Sequence, residues 1–332
     1  MALKDLKVET DVVYTFLLNE KISFFTRLKR ALVFRLGYFP ERNNENKAIN
    51  KAISEKQYDI LFIEKGLSIE PSTLLKVKKK QPSIRIVSYT LDDVMNKRNS
   101  SIYFRKSIGL YDFYFTNKKY NVEELLSMGA KNVHYFPNGY SSHVHRPVIT
   151  TEREKQFYGA EVALIGSYEK ERVELIRYLA ENDIRVKIWG WGRNPARSGM
   201  NHPNITFTGK YVYGDEYAKV VCSTDINLCF LRKENRDTET TRSIEIPACG
   251  GFMLAERTID HQALFEENQE AVYFSSREEL LEKINYYLKH TQERERIGLM
   301  GLERCIKSQY CYRYQLKNIF STILGDDSFS HY

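Results

Sequence analysis

Hydrophobic positions in this chain fall into short apolar runs separated by amphipathic stretches of about three turns, and the alternation occurs twice. In the first half the runs Tyr58–Ile63, Ile84–Tyr89, Asp112–Thr116 and Val133–Phe136 predict strands, the last closed by Pro137-Asn138-Gly139. Between them Pro71–Lys80, with a strongly basic end, and Val122–Met128, stopped by Gly129, predict helices. The rhythm restarts at Glu161–Ile165, which is closed by Gly166-Ser167. A helix over Lys170–Asn182 follows, with Val173, Ile176, Leu179 and Ala180 on one face. Strands are expected at Val186–Trp189 (ending at Gly190-Trp191-Gly192), Ile205–Phe207, Ile226–Phe230, Phe252–Ala255 and Ala271–Phe274. Helices are expected at Tyr217–Cys222, Arg277–His290 behind a Ser276/Glu279 capping box, Glu293–Ser308 and Arg313–Leu324. Strands apolar on both faces, alternating with helices, build parallel sheets from βαβ units.

The polar stretch Ser141–Tyr158, with Pro147 and the Glu152–Lys155 charge cluster, separates the two halves. The fold class expected is α/β, with two facing Rossmann-like domains and a cleft between them. The expected domains are 1–150, 151–310, and a final helix 311–332 packing back towards the first. Ligands of such sheets bind at the carboxyl ends of the strands. The first fifty residues are less regular. Asp11–Leu18 reads as a first strand, and Glu41–Asn50 as a loop running into a helix. Lys21–Tyr38 interleaves Phe24, Phe25, Leu28, Leu32 and Leu36 with Lys21, Arg27, Lys29, Arg30 and Arg35. That is a basic amphipathic segment, suited to packing on the sheet or to lying on a membrane surface.

The formal net charge of +7 is modest for 332 residues and spread along the chain. It argues against a nucleic-acid protein and fits an anionic small ligand or an acidic membrane surface. The five cysteines form no Cys-x-x-Cys pair and no metal spacing with histidine, as expected of reduced thiols in a cytoplasmic protein. Met1–Asp5 opens no signal core, and no run reaches the roughly 18 apolar residues of a membrane span.

Candidate chemistry centres on Thr240–Gly251. Arg242 and Glu245 share a helix face, and Gly250-Gly251 lets the chain reverse into an apolar strand. The pair suits recognition of a phosphorylated ligand, or is simply a surface ion pair. Gly166-Ser167, between a strand and a helix, permits close approach of an anion. Gly209-Lys210-Tyr211 is a second strand-end turn. Asp92 and Asp93 end a strand, as candidate acids, bases or hydroxyl binders, or as solvated turn residues. His143 and His145 are alternative bases.

These motifs carry a resemblance. Leu164–Tyr168, Arg242–Gly251 and Ala271–Ser276 are similar to the nucleotide-sugar domain of GT-B glycosyltransferases, in particular the spore-maturation CgeB-like group of the group 1 superfamily. The resemblance spans Glu161 to about Tyr310 and extends loosely to Asp92-Asp93 and Phe136–Gly139. It implies a metal-independent enzyme without a cofactor, moving a sugar from a nucleoside-diphosphate donor, UDP- or GDP-linked, to a hydroxyl of a glycan or lipid-linked acceptor. Glu245 then matches the carboxylate that holds the donor ribose. Arg242, with Gly166 and Ser167, matches the diphosphate surface, and the turn Gly209–Tyr211, with Lys210 and Tyr211, the nucleobase contact; Thr241, Gly250 and Gly251 are further donor-binding candidates. Asp237 stands where related retaining enzymes carry a glutamate facing the donor sugar. Asp92 and Asp93 fall on the acceptor side. The expected location is cytoplasmic, with peripheral contact at the inner face of a membrane through 21–38. The alternatives are a sugar-nucleotide epimerase of the same architecture and a non-catalytic nucleotide-sugar-binding protein.

Overall fold

The structure is a computed structural model that describes residues 2–15, 23–191 and 200–325. The chain forms two compact units. The N-terminal unit comprises Lys7–Pro137, the three residues Glu234–Arg236, and the chain from Ile319 onward. The C-terminal unit comprises Met1–Leu6, with the short helix α1 (Ala2–Asp5), Asn138–Lys233 and Asp237–Asn318.

The N-terminal unit runs α2 (Phe24–Arg35), α3 (Glu45–Glu55), β1 (Ile60–Glu64), α4 (Pro71–Lys80), β2 (Arg85–Thr90), α5 (Ile102–Ser107), β3 (Phe113–Thr116), α6 (Lys119–Ser127) and β4 (Val133–Tyr135). Its strands are all parallel and pair in sequence order, β1-β2-β3-β4. Ile63, Ile86 and Tyr114 of the sheet pack with Leu74 and Val77 of α4, Phe104 of α5 and Leu125 of α6. No strand forms over Asp11–Thr15, and the rest of the first strand expected there lies outside the described residues.

The C-terminal unit runs α7 (Glu152–Tyr158), β5 (Ala160–Gly166), α8 (Lys170–Glu181), β6 (Val186–Gly190), β7 (Ile205–Phe207), α9 (Asp215–Cys222), β8 (Thr224–Cys229), α10 (Arg242–Ala248), β9 (Met253–Glu256), α11 (Ile259–Leu264), β10 (Val272–Phe274), α12 (Arg277–Lys289), α13 (Thr291–Lys307) and α14 (Tyr312–Leu324), whose last residues count with the N-terminal unit. The charge cluster read as a polar boundary is α7, opened by a complete Thr151/Glu154 capping box. At α12 only half of the expected box forms. Ser276 accepts from the Glu279 N–H, but the Glu279 carboxylate turns to Arg257 and to the Ser275 N–H.

The six strands are parallel in the order β10-β9-β8-β5-β6-β7. The order reverses direction between β5 and β8, which makes that junction the topological switch point. Successive strand residues serve opposite cores: Ile188, Leu228 and Leu254 pack on one face, and their neighbours Trp189, Cys229 and Met253 on the other. This is why the strands read as continuous apolar runs.

Candidate functional site

At the carboxyl edge of the C-terminal sheet, the last residues of β5 and β6, Gly166 and Gly190, pair side by side. Gly190 has φ +105°, and a Cβ there would lie 2.1 Å from the Gly166 carbonyl oxygen. Its N–H donates to the Lys210 carbonyl at 2.7 Å, which draws the Gly209–Tyr211 turn to the same edge. The side-chain-free floor exists because no larger residue fits it.

Arg172, in the first turn of α8, is buried and spans the switch point. Its guanidinium donates to the Ser167 carbonyl at 3.0 Å and to the Phe230 carbonyl, just past β8, at 2.7 Å. Burial lowers its pKa from the ordinary arginine value, with the Glu169 carboxylate opposing. The N-cap residue Glu169 makes no capping bond and engages Arg232 instead, at 2.7 Å. The first-turn N–H groups of α8 therefore lack a side-chain cap at the positive end of the helix, beside the Gly166-Ser167 turn.

The start of α10 is fixed to this edge by Ser243. Its hydroxyl accepts from the Thr240 N–H at 3.0 Å and donates to His261 Nε2 at 2.7 Å, since His261 Nδ1 carries the proton given to the Glu256 carbonyl at 2.6 Å, at the end of β9. Burial lowers the His261 pKa, which keeps the ring neutral in this role. From the anchored turn, one terminal nitrogen of Arg242 donates to Thr241 Oγ1 at 2.9 Å and to Glu245 Oε2 at 3.0 Å. The guanidinium lies over the Tyr217 ring at 5.5 Å. Burial pulls its pKa down, but Glu245 outweighs this and the net direction is up. Its other terminal nitrogen has no partner among the described residues.

His145 completes the cluster. Its Nδ1 accepts from the Ser141 N–H at 3.1 Å, so the neutral ring carries its proton on Nε2, which stands 3.7 Å from Glu245 Oε1. The ring packs edge-on against Tyr217. Burial lowers the His145 pKa, against the pull of Glu245. Sequence reasoning offered His145 only as an alternative base; nothing local marks it as a neighbour of Glu245. Arg172 likewise carries no local signal that separates it from the other polar residues of its helix. His143 instead pairs with Asp5 at 2.7 Å, at the surface.

The expected site residues divide. Gly166, Ser167, Lys210, Thr241, Arg242 and Glu245 belong to the elements just described, and exposed Tyr211 stacks on Tyr213 at 6.5 Å. Gly250 and Gly251 do not belong there, and their expected donor-binding role is withdrawn. They close the far end of α10, the Gly250 N–H bonding Pro247 O and the Gly251 N–H bonding Ile246 O, with Gly250 at φ +74°. They precede β9, so they sit at the amino edge of the sheet. Asp237 is half-buried and closes a turn, its N–H bonding the Arg232 carbonyl at 3.1 Å.

Asp92 and Asp93 lie in the N-terminal unit. Asp92 pairs with Lys65 at 2.5 Å. Asp93 is buried, takes Arg236 at 2.6 and 2.8 Å on its two oxygens, and accepts from Asn121 and from the Met95 N–H. Burial raises its pKa, but these donors together carry it below the usual carboxylate value. A carboxylate so enclosed and so acidic is an ion-pair anchor for Glu234–Arg236 and a poor proton shuttle, which removes Asp93 from the catalytic candidates. Among the described residues no group of three or more His, Cys, Asp or Glu is placed to hold a metal ion.

Two Rossmann-like units, with a glycine-floored switch point and an Arg–Glu pair at the adjoining helix, define a GT-B protein. Residues 170–321, a little under half of the chain, match the family described as glycosyl transferase-like. Solved structures share the fold at low identity. Sucrose-phosphate synthase from Thermosynechococcus elongatus is 12% identical, with 89% of this chain and 80% of that chain covered and a TM-score of 0.61. Anabaena Alr3699/HepE in complex with UDP-glucose is 12% identical, with coverages of 87% and 85% and a TM-score of 0.60. A protein from Listeria monocytogenes described as a UDP-N-acetylglucosamine 2-epimerase is 13% identical, with coverages of 98% and 86% and a TM-score of 0.55. No curated protein matches the chain. No helix among the described residues is long and apolar enough to cross a membrane.

Proposed function

We propose that the chain transfers a sugar from a nucleoside-diphosphate donor, UDP- or GDP-linked, to a hydroxyl of a glycan or lipid-linked saccharide, without a metal ion. The observation that carries this reading is the half-satisfied Arg242 guanidinium, held by Glu245 beside the uncapped start of α8. Departure of the nucleoside diphosphate develops negative charge on the phosphate oxygens. Arg242, the Ser167 hydroxyl and the first-turn N–H groups of α8 are the donors that would meet it, and fixed donors of this kind stabilise such charge. Glu245 accepts from the ribose hydroxyls. Lys210 and Tyr211 face the base. Asp237 is assigned to the donor sugar, and Asp92, in the N-terminal unit, to the acceptor hydroxyl. A membrane-held acceptor would be approached through the segment 21–38. The complex of Alr3699/HepE with UDP-glucose supports UDP as the first donor to try.

The test pairs nucleotide binding with turnover. UDP or GDP should raise the melting temperature, because a ligand that binds only the folded state stabilises it. Arg242→Ala should weaken that shift and abolish release of free nucleotide from the sugar nucleotide, with chelator leaving the wild type unaffected. Unchanged nucleotide affinity in Arg242→Ala would remove the residue from the site. The fold shared with the 2-epimerase keeps one rival: a product that is only an isomerised nucleotide sugar would establish epimerisation and refute transfer.

A further inference from the structure

Helix α2 is well formed yet buries none of its residues. Ser23 caps its start by accepting the Thr26 N–H. At its end the Gly37 N–H bonds Phe34 O and the Tyr38 N–H bonds Val33 O, with Gly37 at φ +83°. Both termini are thus satisfied locally, and the helix is about 18 Å long. It rests on its own unit through half-buried Arg30 and Val33, and through Phe34 against the Phe39 ring. The opposite side carries Phe24, Leu28 and Leu32 at four-residue spacing, with Phe25 beside them and Leu36 at the cap. These five side chains are 59% to 81% exposed. A contiguous apolar stripe of this kind calls for a partner.

Charge selects the partner. The helix contains no acidic residue, and Arg27, Lys29 and Arg35 have no ion-pair partner among the described residues. Arginine and lysine beside an exposed aromatic and leucine face match the headgroup layer of an anionic bilayer, where the rings enter the acyl boundary and the cations remain at the phosphates. A second copy of the same face would set cations against cations, which disfavours self-association.

We propose that α2 lies in the plane of an anionic lipid surface, with Phe24, Phe25, Leu28 and Leu32 inserted and Arg27, Lys29 and Arg35 on the lipid phosphates. This deepens the lipid-linked option of the transferase reading by naming the surface from which such an acceptor would be taken.

The experiment is co-sedimentation of the full chain with vesicles of phosphatidylcholine alone, or of phosphatidylcholine mixed with phosphatidylglycerol. The wild type should bind the anionic vesicles and release them in high salt, with at least about tenfold weaker partition onto neutral ones. Two variants, Phe25→Ser with Leu28→Ser, and Arg27→Glu with Lys29→Glu, should each lower partition onto anionic vesicles by about tenfold or more. Both should keep the wild-type melting temperature and UDP-induced shift, because the replaced side chains are exposed. Absent binding, equal binding to both vesicle types, or variants that bind like the wild type would overturn the proposal. So would a wild type that ignores vesicles but dimerises in sedimentation velocity through this face. A lost UDP shift with intact vesicle binding would count against the donor site alone, and the reverse result against α2 alone.

Discussion

Replacing Arg172 by methionine keeps an unbranched apolar stem and removes the donors. The Ser167 and Phe230 carbonyls then lose bonds of 3.0 and 2.7 Å. Hydrogen bonds from a charged donor contribute about 1.5–3 kcal/mol each, so the gross loss is about 3–6 kcal/mol. Part is returned, because burial at this position disfavours the charged guanidinium, as the lowered arginine pKa shows. A net destabilisation of about 2–4 kcal/mol remains, which in a unit of this size lowers the melting temperature by roughly 5–15 °C. The functional consequence is separable from the stability loss. The Gly166-Ser167 turn would be freed from β8, and UDP affinity measured by calorimetry well below the melting transition should fall by at least about tenfold, or about 1.4 kcal/mol. Arg172→Lys, which can reach one carbonyl at a time, should fall between. A methionine variant that melts within a degree of the wild type would show that the guanidinium does not hold the switch point. One that melts early but binds UDP normally would show that the turn does not hold the diphosphate.

Gly190→Ala combines a φ of +105° with a Cβ 2.1 Å from a backbone oxygen. Backbone strain and overpacking together should cost about 2–6 kcal/mol, read by denaturant unfolding; a loss below about 1 kcal/mol would mean that β5 and β6 separate easily there. Glu245→Gln keeps the shape of the acceptor and removes its charge. It should reduce the preference for UDP over its 2′-deoxy analogue, and an unaltered ratio would dissociate Glu245 from the ribose. The His145 and His261 pKa values are both lowered, chiefly by burial. The unfolded chain takes up protons at these rings near the ordinary value of about 6.5 while the folded chain does not, so their contribution is fully present above that pH. It is lost as pH falls through 6.5 towards the folded values. Melting temperatures recorded downward from about pH 7.5 should therefore fall across that window, and His261→Gln should flatten the slope. A wild-type profile that stays flat or rises on acidification would contradict the assignment.

The strands and most helices were legible in the sequence because apolar runs on both faces and helical spacing are local signals. Arg242 and Glu245 were legible for the same reason, lying one turn apart. What escaped was set by partners remote in the chain. The Arg172 carbonyls and the His145–Glu245 approach exist only once β5 is laid beside β8. Gly250 and Gly251 misled because glycine pairs suit an anion turn and a helix cap equally, and only the direction of β9 shows which edge they occupy. Asp93 misled likewise: an acid after a strand looks available until Arg236, remote in the chain, closes on it. The described part of the expected first strand, Asp11–Thr15, has apolar residues but forms no strand, because composition alone supplies no pairing partner.

The glycine turn behind α10 has a consequence of its own. Gly298 of α13 lies flush against it: a methyl group there would meet the Gly250 carbonyl oxygen at 2.6 Å. A side chain at Gly298 would press on the turn that ends α10, the short helix whose other end bears Arg242. In the donor site proposed above, nucleotide affinity would then depend on residue size at a position on the rear of the domain.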